Sequence, residues 1–276
     1  MSASDSGQRE FGRWQTYLWP VHNHELKKLI PLLLIFFLIS FDYNILRTMK
    51  DTLVVNAKNS GAEAIPFIKV WAMFPMSILM TFIFTRLANR FSRETVIYTM
   101  FSGFLLFFFI FTFFLYPARE FLHPDASADV LQAVLPKGFK GMIAMYRNWT
   151  FTAFYVMSEL WGNIVLFVLF WGFANQIMQL GEAKRFYGIL GIGANLSGIF
   201  AGQISVILYR KELDPTIPFG QTGWDQTMIM LVGLVLVTGV LALGLFFLMN
   251  RFVLTDPRFA RASQASAIES KKPSCL

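Results

Sequence analysis

The side chains best placed to do chemistry in this sequence are charges set inside long apolar runs. Between Leu29 and Val55 the run is broken by Asp42, Arg47, Lys50 and Asp51, and between Trp149 and Met178 the one acidic or basic residue is Glu159. On a helix, Arg47 lies three residues before Lys50 and four before Asp51, so the three share neighbouring parts of one surface. That spacing predicts that Arg47 neutralises Asp51 and leaves Lys50 available. A lysine ammonium is a compact point charge on a long stem, suited to a phosphate or carboxylate that must later be released. The alternative is that Lys50 only snorkels toward a helix end. Against it, Leu53, Val54 and Val55 continue the apolar run.

Glu159 stands eight residues inside the run that starts at Phe151, about 12 Å along a helix, and its stem is too short to snorkel. Asn163 falls one turn further on the same face. Glu159 either lines a pathway or pairs structurally with a base on another helix, Lys50 included. A shared cavity would join the two: Lys50 and Glu159 pair when it is empty, and an incoming anion competes with Glu159 for the ammonium. Asn195, Ser197 and Gln203, with Asp42 and Asn44, are weaker signals, because such side chains serve either as bonds between helices or as substrate contacts.

These charges need elements that can carry them through an apolar medium. The chain has 276 residues, 55% hydrophobic and 17% aromatic, with 15% charged and a mean hydropathy of +0.51. A soluble domain carries about 25% charged residues and no repeated runs of about 20 apolar ones, so the composition is that of a membrane protein. Disordered, collagenous and disulfide-framework classes are excluded. The one cysteine, Cys275, sits in a polar tail and offers neither a disulfide nor a metal site. Six segments qualify as spans: Leu29–Val55, Pro66–Leu87, Thr95–Tyr116, Trp149–Met178, Phe186–Tyr209 and Thr227–Asn250. The fold class is therefore all-α, with six transmembrane helices.

The net charge of +7 reads as membrane orientation and not as nucleic-acid binding, since the bases sit in short loops. The segments on the side of the termini hold 14 Lys and Arg, those on the opposite side 8, which places both termini in the cytoplasm and the loop around Asp125 outside. Residues 1–28 lack the apolar core of a signal peptide and read as a cytoplasmic lead-in. Within it, Trp14, Tyr17, Leu18 and Trp19 form either a short segment on the membrane surface or a plain arm. Residues 29–254 form the six-helix domain, and residues 255–276 a polar cytoplasmic tail.

The stretch from Pro117 to Tyr146 divides the spans three and three, into halves of about residues 29–116 and 149–250, broken by Pro117, Pro124, Pro136 and Gly138. An odd number of spans per half inverts the second half relative to the first, the pattern of inverted-repeat transporters. The third and sixth spans carry no charge in their apolar stretches and are expected to face lipid. The first and fourth, at equivalent places in their halves, carry the charges and are expected to line the pathway, because a charge at mid-membrane costs about 2.5–3.5 kcal/mol on the insertion scale. In the fifth span Ala194, Gly198 and Gly202 share a face on which a neighbouring helix could approach closely. No GxxxxGK[ST] loop, HExxH or CxxC is present, so no ATP-hydrolysing engine, catalytic centre, metal or cofactor is expected.

Three motifs then carry a resemblance. ILRTMKDTLVV from Ile45, SELWGNIVLFVLFWGFANQI from Ser158 and GILGIGANLSGIFAG from Gly188 resemble the nucleotide transporter family, the ATP/ADP translocases of chlamydiae, rickettsiae and plastids, over about residues 24–258. The resemblance implies a half with major-facilitator-like fold, six of the twelve spans usual for the family. It implies counter-exchange of ATP and ADP, with phosphate, across a bacterial cytoplasmic membrane, and makes Lys50 in RTMKD and Glu159 in ELWG the family's required lysine and glutamate. Arg47, Asp51, Asn163 and Asn195 complete the expected substrate-contacting set. A further glutamate and lysine of the family's second half have no counterpart here, so a complementary six-span half or a second copy is expected as partner. Carriage of other nucleotides or of NAD, or a transport-inactive fragment, are the alternatives. Beyond Arg258 the polar run ARASQASAIESKKPSCL is expected to depart from the family, as a truncation, frameshift or altered linker would.

Overall fold

Six helices long and apolar enough to cross a membrane run over Leu26–Val55, Ala64–Arg90, Arg93–Leu115, Trp149–Ile177, Gly181–Leu208 and Gly223–Phe252, within a few residues of the spans expected from the sequence. This computed structural model describes Val21 and residues 25–178 and 180–253; the aromatic lead-in segment and the polar tail lie outside the described residues. No strand occurs among the described residues, as the demand for internally satisfied backbone bonds in lipid requires of such runs. Local chemistry sets several ends. Ser92 caps the third helix by accepting from the Thr95 amide, and Thr222 and Asp225 form a reciprocal capping box at the start of the sixth.

The first helix packs against the fourth, fifth and sixth and is the axis of the domain. Trp161, wholly buried, donates from its indole to the Ile39 carbonyl at 3.2 Å and meets Phe101 edge-on at 5.1 Å, so one side chain joins the first, third and fourth helices. Phe111 and Phe154, 4.6 Å apart, continue the seam of the third and fourth.

Three expectations change here. The charge-free third helix is not simply lipid-facing: Phe104, Phe108 and Phe111 are fully enclosed, while Phe109, Phe113 and Phe114 point outward. The sixth divides in the same way, with Val232 and Val235 buried and Val240 and Leu241 exposed. The most outward-facing span is the second, in which no residue from Phe74 to Arg90 is buried. Absence of charge thus does not rank exposure, because phenylalanine packs as well against protein as against lipid. The close approach on the fifth helix is also displaced from the expected face. A Cβ on Gly193 would come within 2.7 Å of Leu33, and one on Gly198 within 3.6 Å of Asn44, whereas Gly202 faces open space.

The stretch between the third and fourth spans is built rather than loose. Helices cover Arg119–Leu122, Asp125–Val134 and Lys140–Arg147, with Pro124 and Pro136 at their boundaries. Asp125 accepts from Lys58 at 2.5 Å and from the buried Arg147 at 3.1 Å, which also bonds Asp129 at 2.6 Å. Lys140 bonds Glu63 at 2.6 Å. The segment is thereby clasped to the end of the first helix and the start of the second.

Candidate functional site

Lys50 is 3% exposed and does not reach the surface as a snorkelling lysine would. Its Nζ lies 3.0 Å from Glu159 Oε1, 2.8 Å from Asp51 Oδ1 and 4.1 Å from the centre of the Tyr155 ring. The two charged spans are thus joined at the point where a pair was expected. Burial of the ammonium is compensated by two carboxylates and an aromatic face, the combination a desolvated cation requires. Glu159 keeps 20% of its side chain exposed and Asp51 49%, so the pair lies at the edge of the packed core, open on one side.

Arg47 does not neutralise Asp51. It is exposed, and Asp51 bonds Lys50, its chain neighbour, instead. Spacing places all three on adjacent parts of the helix, but only the long lysine stem, lying in the packed side, bends to both carboxylates. Asn163 is exposed, in the stretch from Trp161 to Phe170 where the fourth helix widens into a π-helix. Asn195 is exposed on the fifth helix, between the levels where Leu33 meets Gly193 and Asn44 meets Gly198. Lys50 is six residues beyond Asn44, about 9 Å further along, so Asn195 is not brought to the pair.

Tyr155 was not anticipated, though its place four residues before Glu159 puts an aromatic face on the same side of the helix. Also unforeseen are the buried ion pairs at the other end of the first helix, where Lys28 bonds Glu182 and Arg185 bonds Glu25. In the sequence these bases count only toward orientation.

One turn beyond Lys50 a cavity of about 790 Å³ opens, lined by Thr52, Asn56, Tyr116, Arg119, Trp224 and Asp225 among others. Asp225, in the first turn of the sixth helix, accepts from the Tyr116 hydroxyl at 2.7 Å and from Arg119 at 3.2 Å. His123 shares this wall beside Thr150, and burial pushes its imidazole below the usual histidine range.

Six membrane-length helices, with a buried lysine that two carboxylates hold at an open edge, define a polytopic helical membrane protein. The TLC ATP/ADP transporter family model matches residues 4–275, and the chain belongs to that family. It is 46% identical over 268 residues to ADP,ATP carrier protein 1 of Chlamydia muridarum, covering 97% of this chain and 50% of that protein. It is 45% identical over 252 residues to ADP,ATP carrier protein 1 of Chlamydia pneumoniae, covering 91% and 48%. The Plastidic ATP/ADP-transporter of Solanum tuberosum is 45% identical over 233 residues, covering 84% and 37%. The chain spans about half the length of the chlamydial relatives it matches. No solved structure matches it. The family match also corrects the expected limits of resemblance: it runs past Arg258 to residue 275, so the polar tail does not depart from the family.

Proposed function

We propose that this chain is a six-helix half of a secondary nucleotide carrier that exchanges ATP for ADP, with phosphate, across a bacterial cytoplasmic membrane, both termini lying in the cytoplasm. The observation that carries the site assignment is the buried Lys50, bonded at once to Glu159 and Asp51. With no substrate present, the carboxylates satisfy the ammonium. A nucleotide phosphate that reaches Nζ replaces them, and Glu159 is released to water or to another donor. The exchange costs little only because the cation is never left unpaired. Substrate therefore has differential affinity for the two arrangements, which is what lets it bias a conformational equilibrium. The cavity one turn further along supports an approach route whose Arg119 and Tyr116 are held in place by Asp225.

Six helices with the charge pair on an open edge leave one side of a pathway unwalled, so the carrier includes a complementary six-span half or a second copy. Coverage of half the chlamydial relatives supports this, as do the second helix, unburied from Phe74 to Arg90, and the exposed Ile192, Leu196 and Ile199 of the fifth. Nothing in this mechanism breaks a covalent bond, and we read the protein as a carrier rather than an enzyme. The test is uptake of labelled ATP by cells or proteoliposomes containing the chain with a complementary half. Lys50→Gln should abolish exchange with membrane insertion unchanged, and Lys50→Arg should restore it only in part, because a planar fork differs from an ammonium in reach and hydration. Normal uptake by the Gln variant would remove the site from the mechanism.

A further inference from the structure

We propose that Asp42 is a proton-binding site, a neutral carboxylic acid in the seam between the first and sixth helices. Asp42 is fully enclosed midway along the first helix, 0% exposed. Its Oδ1 meets the hydroxyl of Thr238 on the sixth helix, and its Oδ2 has no hydrogen-bond partner. The helices around it bring no compensating charge. The sixth has no titratable side chain between Asp225 and Arg251, each thirteen residues and about 20 Å from Thr238. The fifth has none between Tyr187 and Tyr209, and the third only Tyr98 between Glu94 and Tyr116. On the fourth, Tyr155 and Glu159 already surround Lys50. On the first itself, Tyr43 is adjacent in the chain, Arg47 is exposed, and Lys50 stands eight residues, about 12 Å, further on.

Counting hydrogens supplies the proton. Thr238 Oγ1 lies within bonding reach of Asp42 Oδ1, of the Leu234 carbonyl at 2.7 Å and of the Val235 carbonyl at 3.3 Å, yet a threonine hydroxyl has one hydrogen. If that hydrogen points at Asp42, the 2.7 Å approach to Leu234 is a bare contact of two oxygens. If it points at Leu234, the back-bond common for threonine on helices, the contact with Asp42 is bare. A proton on Asp42 Oδ1 completes both: the acid donates to Thr238, and Thr238 donates to Leu234. The unpartnered Oδ2 is then a neutral carbonyl oxygen, far cheaper to bury than half of an ionised carboxylate.

The neutral acid lets two spans pack dry. The ionised form requires water or a cation, so loss of the proton and wetting of the seam are linked, and each favours the other. The inference holds whatever substrate the carrier takes.

Infrared spectra of the purified full chain in lipid nanodiscs at neutral pH test it. The carbonyl stretch of a protonated carboxylic acid should be present, should vanish in Asp42→Asn, and should shift in Thr238→Val, where the acid loses its acceptor. Asn keeps the shape and can donate to Thr238, so this variant should keep the parent's thermal midpoint. Absence of the band from the parent chain, or its survival in Asp42→Asn, overturns the proposal. Should Asp42→Asn fail to fold, Thr238→Val decides with Asp42 intact, and an unshifted band overturns it.

Discussion

Removing Glu159's charge tests which carboxylate holds Lys50. The ammonium is about equally close to two, at 3.0 Å from Glu159 and 2.8 Å from Asp51, but the Asp51 side chain is 49% exposed against 20% for Glu159. Water screens the more exposed partner, which limits Asp51 to about 0–1 kcal/mol. The Glu159 contact at 3.0 Å corresponds to roughly 5 kcal/mol at an effective dielectric of about 20, much of it offset by desolvating both charges. Breaking a buried pair by removing one partner costs about 3–5 kcal/mol; with Asp51 and the Tyr155 face left behind, each holding about 1 kcal/mol, Glu159→Gln is expected to cost about 1–3 kcal/mol. Asp51→Asn should cost less than about 1 kcal/mol. Lys50→Gln strands Glu159, whereas the double variant Lys50→Gln/Glu159→Gln removes both charges, so its loss should fall short of the summed single losses by at least about 2 kcal/mol. Reversible unfolding of the full chain in mixed micelles, followed by tryptophan fluorescence, measures the cycle. Additivity within about 0.5 kcal/mol, or an Asp51→Asn loss as large as that of Glu159→Gln, would refute the argument that burial selects the partner.

Gly223→Ala should destabilise the sixth helix's start, because its Cβ would meet the backbone carbonyls of Glu212 and Arg210 at 2.6 and 2.7 Å, while Gly202→Ala meets nothing within 4 Å and should be neutral or slightly stabilising in unfolding of the chain. Acidification should loosen the segment from Arg119 to Arg147, read as falling amide protection factors in hydrogen exchange. Burial holds the His123 imidazole below its usual range, so the unfolded segment takes up a proton first and stability falls as pH drops below about 6.5. The Lys58 bond, reinforced by Arg147, holds the Asp125 carboxyl below the usual carboxylate range, so its contribution persists above about 3.9 and is lost only at lower pH. His123→Gln should remove the first phase, and its persistence would contradict this assignment. For orientation, single cysteines at Ser127 and Ser263 in a Cys275→Ser background should give labelling of intact cells by an impermeant reagent at 127 alone; labelling at 263 would reverse the topology.

Hydropathy determines the six helices by itself, because a backbone crossing lipid must satisfy its own hydrogen bonds and does so over about 20 apolar residues. The same reasoning exposes Lys50 and Glu159, since a charge in such a run stands out against its surroundings whatever the helices do. Which face each helix turns to which neighbour is decided by tertiary structure. In lipid no hydrophobic force separates inward from outward apolar faces, and fit between side chains settles rotation and depth. That is why Phe104 and Phe109, identical and five residues apart, end one buried and one exposed, and why Gly193 rather than Gly202 takes the close contact. The choice of Lys50 over Arg47 for partnership with Asp51 and the meeting of Asp42 with Thr238, 196 residues away, have the same origin. Spacing defines neighbours along one helix, but burial and the register between helices exist only once the six are packed.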